Sequence, residues 1–221
     1  MTYKLMGGNV SPFVRKVRVF LAEKGIEYDY EQVSPFSPPE GWREISPLGK
    51  IPALLDGENV INDSTCICQY IERKNPAPVL IPADDEAYIR ALWLEEFIDA
   101  GFVPVAGGKV FFPLVVGPML AKEPPSEEVR ADVRKIVAEE FPIFWNYLEK
   151  EIAGKEFFVG DALTIADIAV VSIHVNLKHA GIAVDAARWP RLASYVSLMF
   201  ERPSFKAVID EETPTWTAKA A

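Results

Sequence analysis

The sequence predicts a small α/β domain, a linker, and then an all-helical domain. Strand and helix signals alternate through the first third of the chain, and strand signals are absent beyond it. Between the two regimes, residues 75–85 contain Pro76, Pro78 and Pro82, the composition of a connector.

In chain order, residues 3–6 read as a short strand ended by Gly7 and Gly8. Ser11 before Pro12 fits an N-cap and first helical residue, since the amide proline lacks would be unpaired there anyway. Phe13, Val17, Phe20 and Leu21 then recur on one helix face, and Gly25 supplies a left-handed stop. Residues 28–33 read as a second strand. Pro35, Pro38 and Pro39 preclude regular structure until a short helical turn near residues 41–45. Residues 53–55 and 60–61 flank Asp56-Gly57, a hairpin signal, and residues 64–74 form a helix that stops before Pro76.

Past the connector, residues 88–105 read as an aromatic-rich helix, and Gly107, Gly108 and Pro113 interrupt the next stretch. Residues 126–152 give the clearest helix, with Val129, Val133, Ile136, Val137, Phe144, Leu148 and Ile152 as its apolar stripe. Further helices fit residues 165–180, 191–202 and 204–210. The predicted boundaries are residues 1–76, a linker at 77–87, and residues 88–221.

Composition narrows the function classes. Hydrophobic residues make up 49% of the 221, enough for a packed core and too many for a disordered chain. Two cysteines, Cys66 and Cys68, cannot staple a fold of this size, and two residues apart on a helix they face different sides. An inert buried role is expected for both. A net charge of -9 opposes duplex nucleic acid, and Arg15, Lys16 and Arg18 read as a solvated helix face. Residues 1–10 lack the pattern of a targeting segment. The richest apolar run, residues 110–120, is broken by Pro113, Gly117 and Pro118 and falls short of the roughly 20 residues of a membrane span. A cytoplasmic protein without nucleic-acid or membrane partners is the expectation. His174 and His179 fall within a helix, outside any triad or metal-ligand spacing, so both read as structural and no metal is expected.

Three local features of the first domain carry chemistry. At Ser11-Pro12-Phe13, a glycine loop and a helix start bring amides together at a point that favours negative charge, and a hydroxyl there can donate to an anion. The alternative is that Ser11 merely caps the helix. At Lys50-Ile51-Pro52-Ala53, a proline enters a strand; a cis bond there would turn the Ile51 backbone toward a ligand, the alternative being an ordinary trans proline at a strand start. At Asn62-Asp63-Ser64-Thr65, helix amides could hold a carboxylate while Asp63 meets an ammonium group, or Asp63 and Ser64 could simply be caps. A fourth segment, Thr164 with Asp167 three residues on, fits a capping box, flanked by Leu163 and Ile168 as a hydrophobic staple.

In this order these segments resemble the cytosolic glutathione S-transferase family over nearly the full chain, in its serine-type, bacterial or tau-like form. The residues that carry the likeness are Ser11 through Arg18, Ser46 through Leu54, Asp63-Ser64, and Phe158-Val159-Gly160-Asp161 through Asp167. The resemblance implies a thioredoxin-like βαβαββα domain that binds glutathione, followed by a helical bundle. It implies Ser11 as the catalytic hydroxyl, with Asn9, Phe13, Lys50, Ile51, Pro52, Asp63 and Ser64 around glutathione. Relatives often carry a further basic residue about a dozen positions before the cis-proline, where this chain reads Phe36-Ser37-Pro38-Pro39-Glu40, and Arg43 is the candidate substitute. Glutathione would be a co-substrate with no further cofactor, and the partner substrate a small apolar electrophile lined by Phe97, Phe102, Phe111, Phe112 and Trp216. A homodimer through the helix holding Tyr88, Trp93 and Phe97 is also implied. Two other activities fit the same site: a glutathione-dependent disulfide or peroxide reductase, and a non-catalytic binding module.

Overall fold

The computed structural model describes residues 2–217, with side chains to residue 213. The N-terminal part runs β1 (Tyr3–Gly7), α1 (Pro12–Glu23), β2 (Tyr28–Gln32), α2 (Trp42–Ile45), β3 (Ala53–Asp56), β4 (Asn59–Asn62) and α3 (Ser64–Lys74). The strands form one sheet in the order β2-β1-β3-β4. β1 pairs parallel with β2, joined through α1, and antiparallel with β3, which forms a hairpin with β4. This is the predicted α/β order. Gly25 stops α1 with φ 66, and Gly57 makes the hairpin turn with φ 61, both positions that a Cβ would strain.

The helical part begins at α4 (Asp85–Glu96) and continues through two π-helical stretches, π1 (Phe97–Phe102) and π2 (Pro104–Val116), into α5 (Gly117–Ala121). It then runs α6 (Glu127–Glu139), α7 (Phe141–Glu151), α8 (Ile165–His179), α9 (Pro190–Phe200) and α10 (Pro203–Thr217). α8 is the axis of this part: every residue from Ile165 to Leu177 is buried. Its start is held by the connector, where Leu80 O accepts from the Ile165 amide at 2.9 Å. Asp167 reaches back to accept from the Thr164 amide (2.8 Å) and hydroxyl (2.9 Å), and also from Phe158 N and Tyr195 OH. Thr164 and Asp167 therefore tie the helix start to both the preceding loop and α9.

Three expectations change. The helix predicted over residues 126–152 is two helices, because Pro142 enters the first turn of α7 and lacks the amide that continuity would need. The glycines and Pro113 do not interrupt residues 104–116. The backbone passes through them in the wider π form, which relieves the clash between a proline ring and the carbonyl of the preceding turn. With α5, this gives one stretch, Pro104–Ala121, that is long and apolar enough to cross a bilayer by those two measures; here it packs on α6 and α8.

The third change concerns α1. Arg15, Lys16 and Arg18 are not a solvated face: their exposures are 0%, 1% and 8%. Arg15 donates to both carboxylate oxygens of Glu212 (3.0 and 2.6 Å), to Ser172 O and to Asn176 Oδ1. Lys16 meets Glu95 (2.6 Å) and Asp99 (2.5 Å), and Arg18 meets Glu211 and the Tyr28 hydroxyl. Each cation is matched by a carboxylate from α4, π1 or α10. Buried charge is tolerated only when paired in this way. These pairs fix α1, and so whatever its N-terminus holds, against the helical part.

Candidate functional site

The register brings the three sequence features to one edge of the sheet. Met6 stands opposite Ala53, and Ala53 opposite Asn62. The chain leaving β1 toward Ser11, the chain entering β3 through Ile51 and Pro52, and the chain leaving β4 toward Asp63 therefore emerge side by side. Close backbone approach needs Gly7, the last residue of β1, and Gly8 after it. A methyl on Gly7 would fall 2.5 Å from Val14 Cγ2 and 3.5 Å from Ile51 Cβ, and one on Gly8 would fall 3.5 Å from Ile51 Cδ1. The loop that carries Ser11 thus abuts the loop that carries Pro52.

Ser11 is the N-cap of α1, extended at φ -70 and ψ 126, with Pro12 next. Its hydroxyl oxygen accepts from Val14 N at 3.4 Å, longer than a good N–H···O bond. Among the described residues the hydroxyl proton has no protein acceptor, and the side chain is only half-buried. A weak cap with a free O–H, at the positive end of a 12-residue helix, can donate to an anion. The preceding residue is fixed from the helical part, where Asn176 Nδ2 donates to Val10 O at 2.9 Å. Asn9 accepts from Gln32 Nε2 at 3.4 Å, across the β1–β2 edge. Phe13, the second residue of α1, is half-buried.

The Ile51–Pro52 peptide is cis, with Pro52 buried and Ile51 half-buried. Lys50 is exposed, and its carbonyl is held by Ser46 Oγ at 2.8 Å. Arg43 lies against the same loop, donating to Pro47 O at 3.1 Å. Asp63 caps α3: its Oδ1 accepts from Thr65 N (2.9 Å) and Cys66 N (3.2 Å). It does so at φ 73 and ψ 134, a strained conformation for a non-glycine residue. Ser64 is buried at 2% exposure directly behind it.

The aromatic candidates separate. Phe112, 40% exposed, stands across from Phe36, 54% exposed, with ring centroids 5.7 Å apart. Phe36 lies on the proline-rich loop after β2, and nothing in its local sequence marks it as a partner of residue 112. Phe111 is buried. Phe102 is fully buried among Phe141, Phe144 and His174, and Phe97 packs with Trp93, Phe144 and Tyr147, so both belong to the helical packing. The side chain of Trp216 lies outside the described residues.

Among the described residues, the histidines and cysteines offer no competing centre. His174 is buried, takes the Trp145 indole N–H on Nε2 at 3.1 Å, and is pushed down to about 4 by burial, so it is neutral at physiological pH. His179 pairs with Glu212. Cys68 is buried as expected, but Cys66 is exposed because it stands on the outward side of the first turn of α3. Burial raises both thiols, and Asp63 adds to the rise at Cys66, so neither is poised as a thiolate. Among the described residues, no three His, Cys, Asp or Glu side chains gather as metal ligands. Two cavities, of about 640 and 280 Å³, lie in the helical part between α8 and α9 and beside α6, and neither touches Ser11, Pro52 or Asp63.

Comparison with known proteins gives the same picture. The N-terminal glutathione S-transferase domain matches residues 5–79, and the C-terminal glutathione S-transferase domain matches residues 109–203. A glutathione S-transferase of Triticum aestivum is 27% identical over 95% of this chain and 94% of its own length. A stringent starvation protein A homolog of Coxiella burnetii is 28% identical over 94% of this chain and 91% of its own. A solved glutathione S-transferase of Methylobacillus flagellatus with GSH bound superposes with a TM-score of 0.75 at 29% identity, covering 94% of this chain and 98% of that one.

Proposed function

Because the chain belongs to the glutathione S-transferase family, with a thioredoxin-like first domain and a helical second one, we propose that it binds glutathione at the shared sheet edge and activates its thiol for attack on an apolar electrophile. The observation that carries this reading is the free Ser11 hydroxyl at the start of α1, set beside the cis Ile51–Pro52 peptide and the Asp63-Ser64 turn. The Ile51 backbone would pair with the cysteinyl part, and Asp63 and Ser64 would hold the γ-glutamyl end. Lys50 and Arg43 supply positive charge toward the glycyl carboxylate.

A free thiol has a pKa of about 8.5, so only a few per cent is thiolate at neutral pH. A charge-assisted hydrogen bond from Ser11 contributes about 1.5–3 kcal/mol. The helix terminus adds about 0.3–1 kcal/mol. Together these lower the thiol pKa by about one to three units, at 1.4 kcal/mol per unit. The thiolate then forms the C–S bond as the electrophile's leaving group departs with its electron pair, and the thiol proton goes to solvent. Phe112 and Phe36 would flank a planar substrate. The exposed Ile89 and Trp93 on α4 support association of two copies through that face.

A glutathione-dependent assay with an activated aryl halide tests the proposal. Turnover that falls about tenfold or more in Ser11→Ala, the value of one such bond, supports it. The likeness to the starvation-protein homolog favours a second reading, a binding module without turnover. Retention on immobilised glutathione without conjugation or disulfide reduction selects that reading.

A further inference from the structure

One buried cluster outside the thiol site remains unexplained by the proposed chemistry. Lys16 Nζ, on α1, sits between Glu95 Oε1 of α4 (2.6 Å) and Asp99 Oδ2 of π1 (2.5 Å), and reaches Thr65 Oγ1 of α3 at 3.3 Å. Thr65 in turn donates to Glu95 Oε1 at 2.8 Å. Lys16 and Glu95 are each 1% exposed, and Glu95 Oε2 is buried without a partner. A lone lysine holding two carboxylates at this depth is costly, and a hydrophobic contact would join these helices as well. The cluster does one thing that a hydrophobic contact cannot: it gives Thr65 a fixed hydrogen-bonded partner.

Thr65 is the second residue of α3, and its amide is one of the two that Asp63 caps while held at φ 73. Strain of this kind persists only where its surroundings over-determine it. Here the surroundings are the Asp63 carboxylate on one side of the turn and the Thr65 hydroxyl, anchored from α1 and α4, on the other. We propose that Lys16 is a positioning residue that, through Glu95 and Thr65, holds the strained first turn of α3 in the form that receives the amino-acid end of glutathione. This rests on the proposed function. It adds that affinity for glutathione is set from the domain interface, by a residue that need not touch it.

The charge balance makes the effect pH-dependent. Asp99 faces Lys16 on α1, Glu95 on α4, and Asp63 and Cys68 of the α3 segment. Burial pushes its carboxyl up to about 6, against the opposing pull of Lys16 and with further help from Glu95 and Asp63. Above that pH Asp99 is ionised and grips Lys16; below it, the proton takes the place of that ion pair and the anchor slackens.

The test measures glutathione Kd by calorimetry, with KM and kcat for aryl-halide conjugation, on the full chain. Lys16→Met strands the buried Glu95 and the part-buried Asp99 and threatens folding, so Thr65→Val, which keeps the shape and removes the hydroxyl, is the deciding variant. The expected result is a rise in Kd and KM of about tenfold with kcat nearly unchanged, and near-complete recovery in Thr65→Ser, which restores the hydroxyl. Wild-type affinity is expected to weaken as pH falls through about 6, with that weakening absent in Asp99→Asn. Equal Kd for wild type and Thr65→Val overturns the positioning role while leaving the proposed function standing. A wild-type chain that does not bind glutathione at all overturns both.

Discussion

Replacing Glu212 by leucine removes the carboxylate that, alone among the described residues, bonds to Arg15, a guanidinium with 0% exposure. Arg15 would keep its bonds to Ser172 O and Asn176 Oδ1, both 2.6 Å, but its charge would be uncompensated, and His179 would lose its partner too. Breaking one side of a buried ion pair costs about 3–5 kcal/mol. At about 2–4 °C per kcal/mol for a chain of this size, the unfolding midpoint falls by roughly 6–20 °C. Thermal unfolding followed by tryptophan fluorescence reads this directly. The double variant Arg15→Met/Glu212→Leu is expected to recover most of the loss, since it removes the stranded charge and keeps apolar volume. The pair also carries a pH signature. Burial alone would raise the Glu212 carboxyl, but Arg15 and His179 overcome it and hold it below the usual range. With the folded value depressed, the contribution is complete above the unfolded value near 4.3 and is lost as pH falls below it. A midpoint shift under about 2 °C in Glu212→Leu, or no recovery in the double variant, would refute the view that this pair locks α1 to the helical part.

Other outcomes follow from the same contacts. Thr164→Ala is expected to lower stability by about 1 kcal/mol, and Asp167→Asn by more, because its NH2 would face a donor on one side, either the Phe158 amide or the Thr164 amide; urea midpoints check both. His174 is expected to titrate near 4 in an NMR pH series, and a value near that of free histidine would contradict its burial. Its folded value is depressed, so the stability it contributes is complete above about 6.5 and is lost as pH falls from there toward 4. Phe112→Ala is expected to raise KM for an aromatic electrophile several-fold, with glutathione Kd unchanged; an unaltered KM would remove the Phe36–Phe112 pair from the second-substrate site.

What the sequence discloses depends on how far apart the interacting residues lie. The α1 start, the hairpin at Asp56-Gly57 and the Thr164–Asp167 box are local, and each is visible within four or five residues. Ser11, Pro52 and Asp63 are joined in the sequence only by the family resemblance, because the pairing of β1 with β3 and β3 with β4 that brings their loops out side by side is long-range. The break at Pro142 was hidden by an apolar stripe that runs across it with little change of phase. The π-helical path through Gly107, Gly108 and Pro113 runs against local propensity and is held by packing on α6 and α8. The buried state of Arg15, Lys16 and Arg18 could not be read from α1 itself, because Glu95, Asp99, Glu211 and Glu212 lie 79 to 197 residues away along the chain.

The most direct test of the account is the ionisation of glutathione bound to the protein, followed by thiolate absorbance across a pH titration. In the wild type the bound thiol is expected to titrate about one to three units below its free value of roughly 8.5, and in Ser11→Ala to return most of the way. Bound glutathione that titrates like the free tripeptide in both proteins would contradict a thiolate held by the Ser11 hydroxyl.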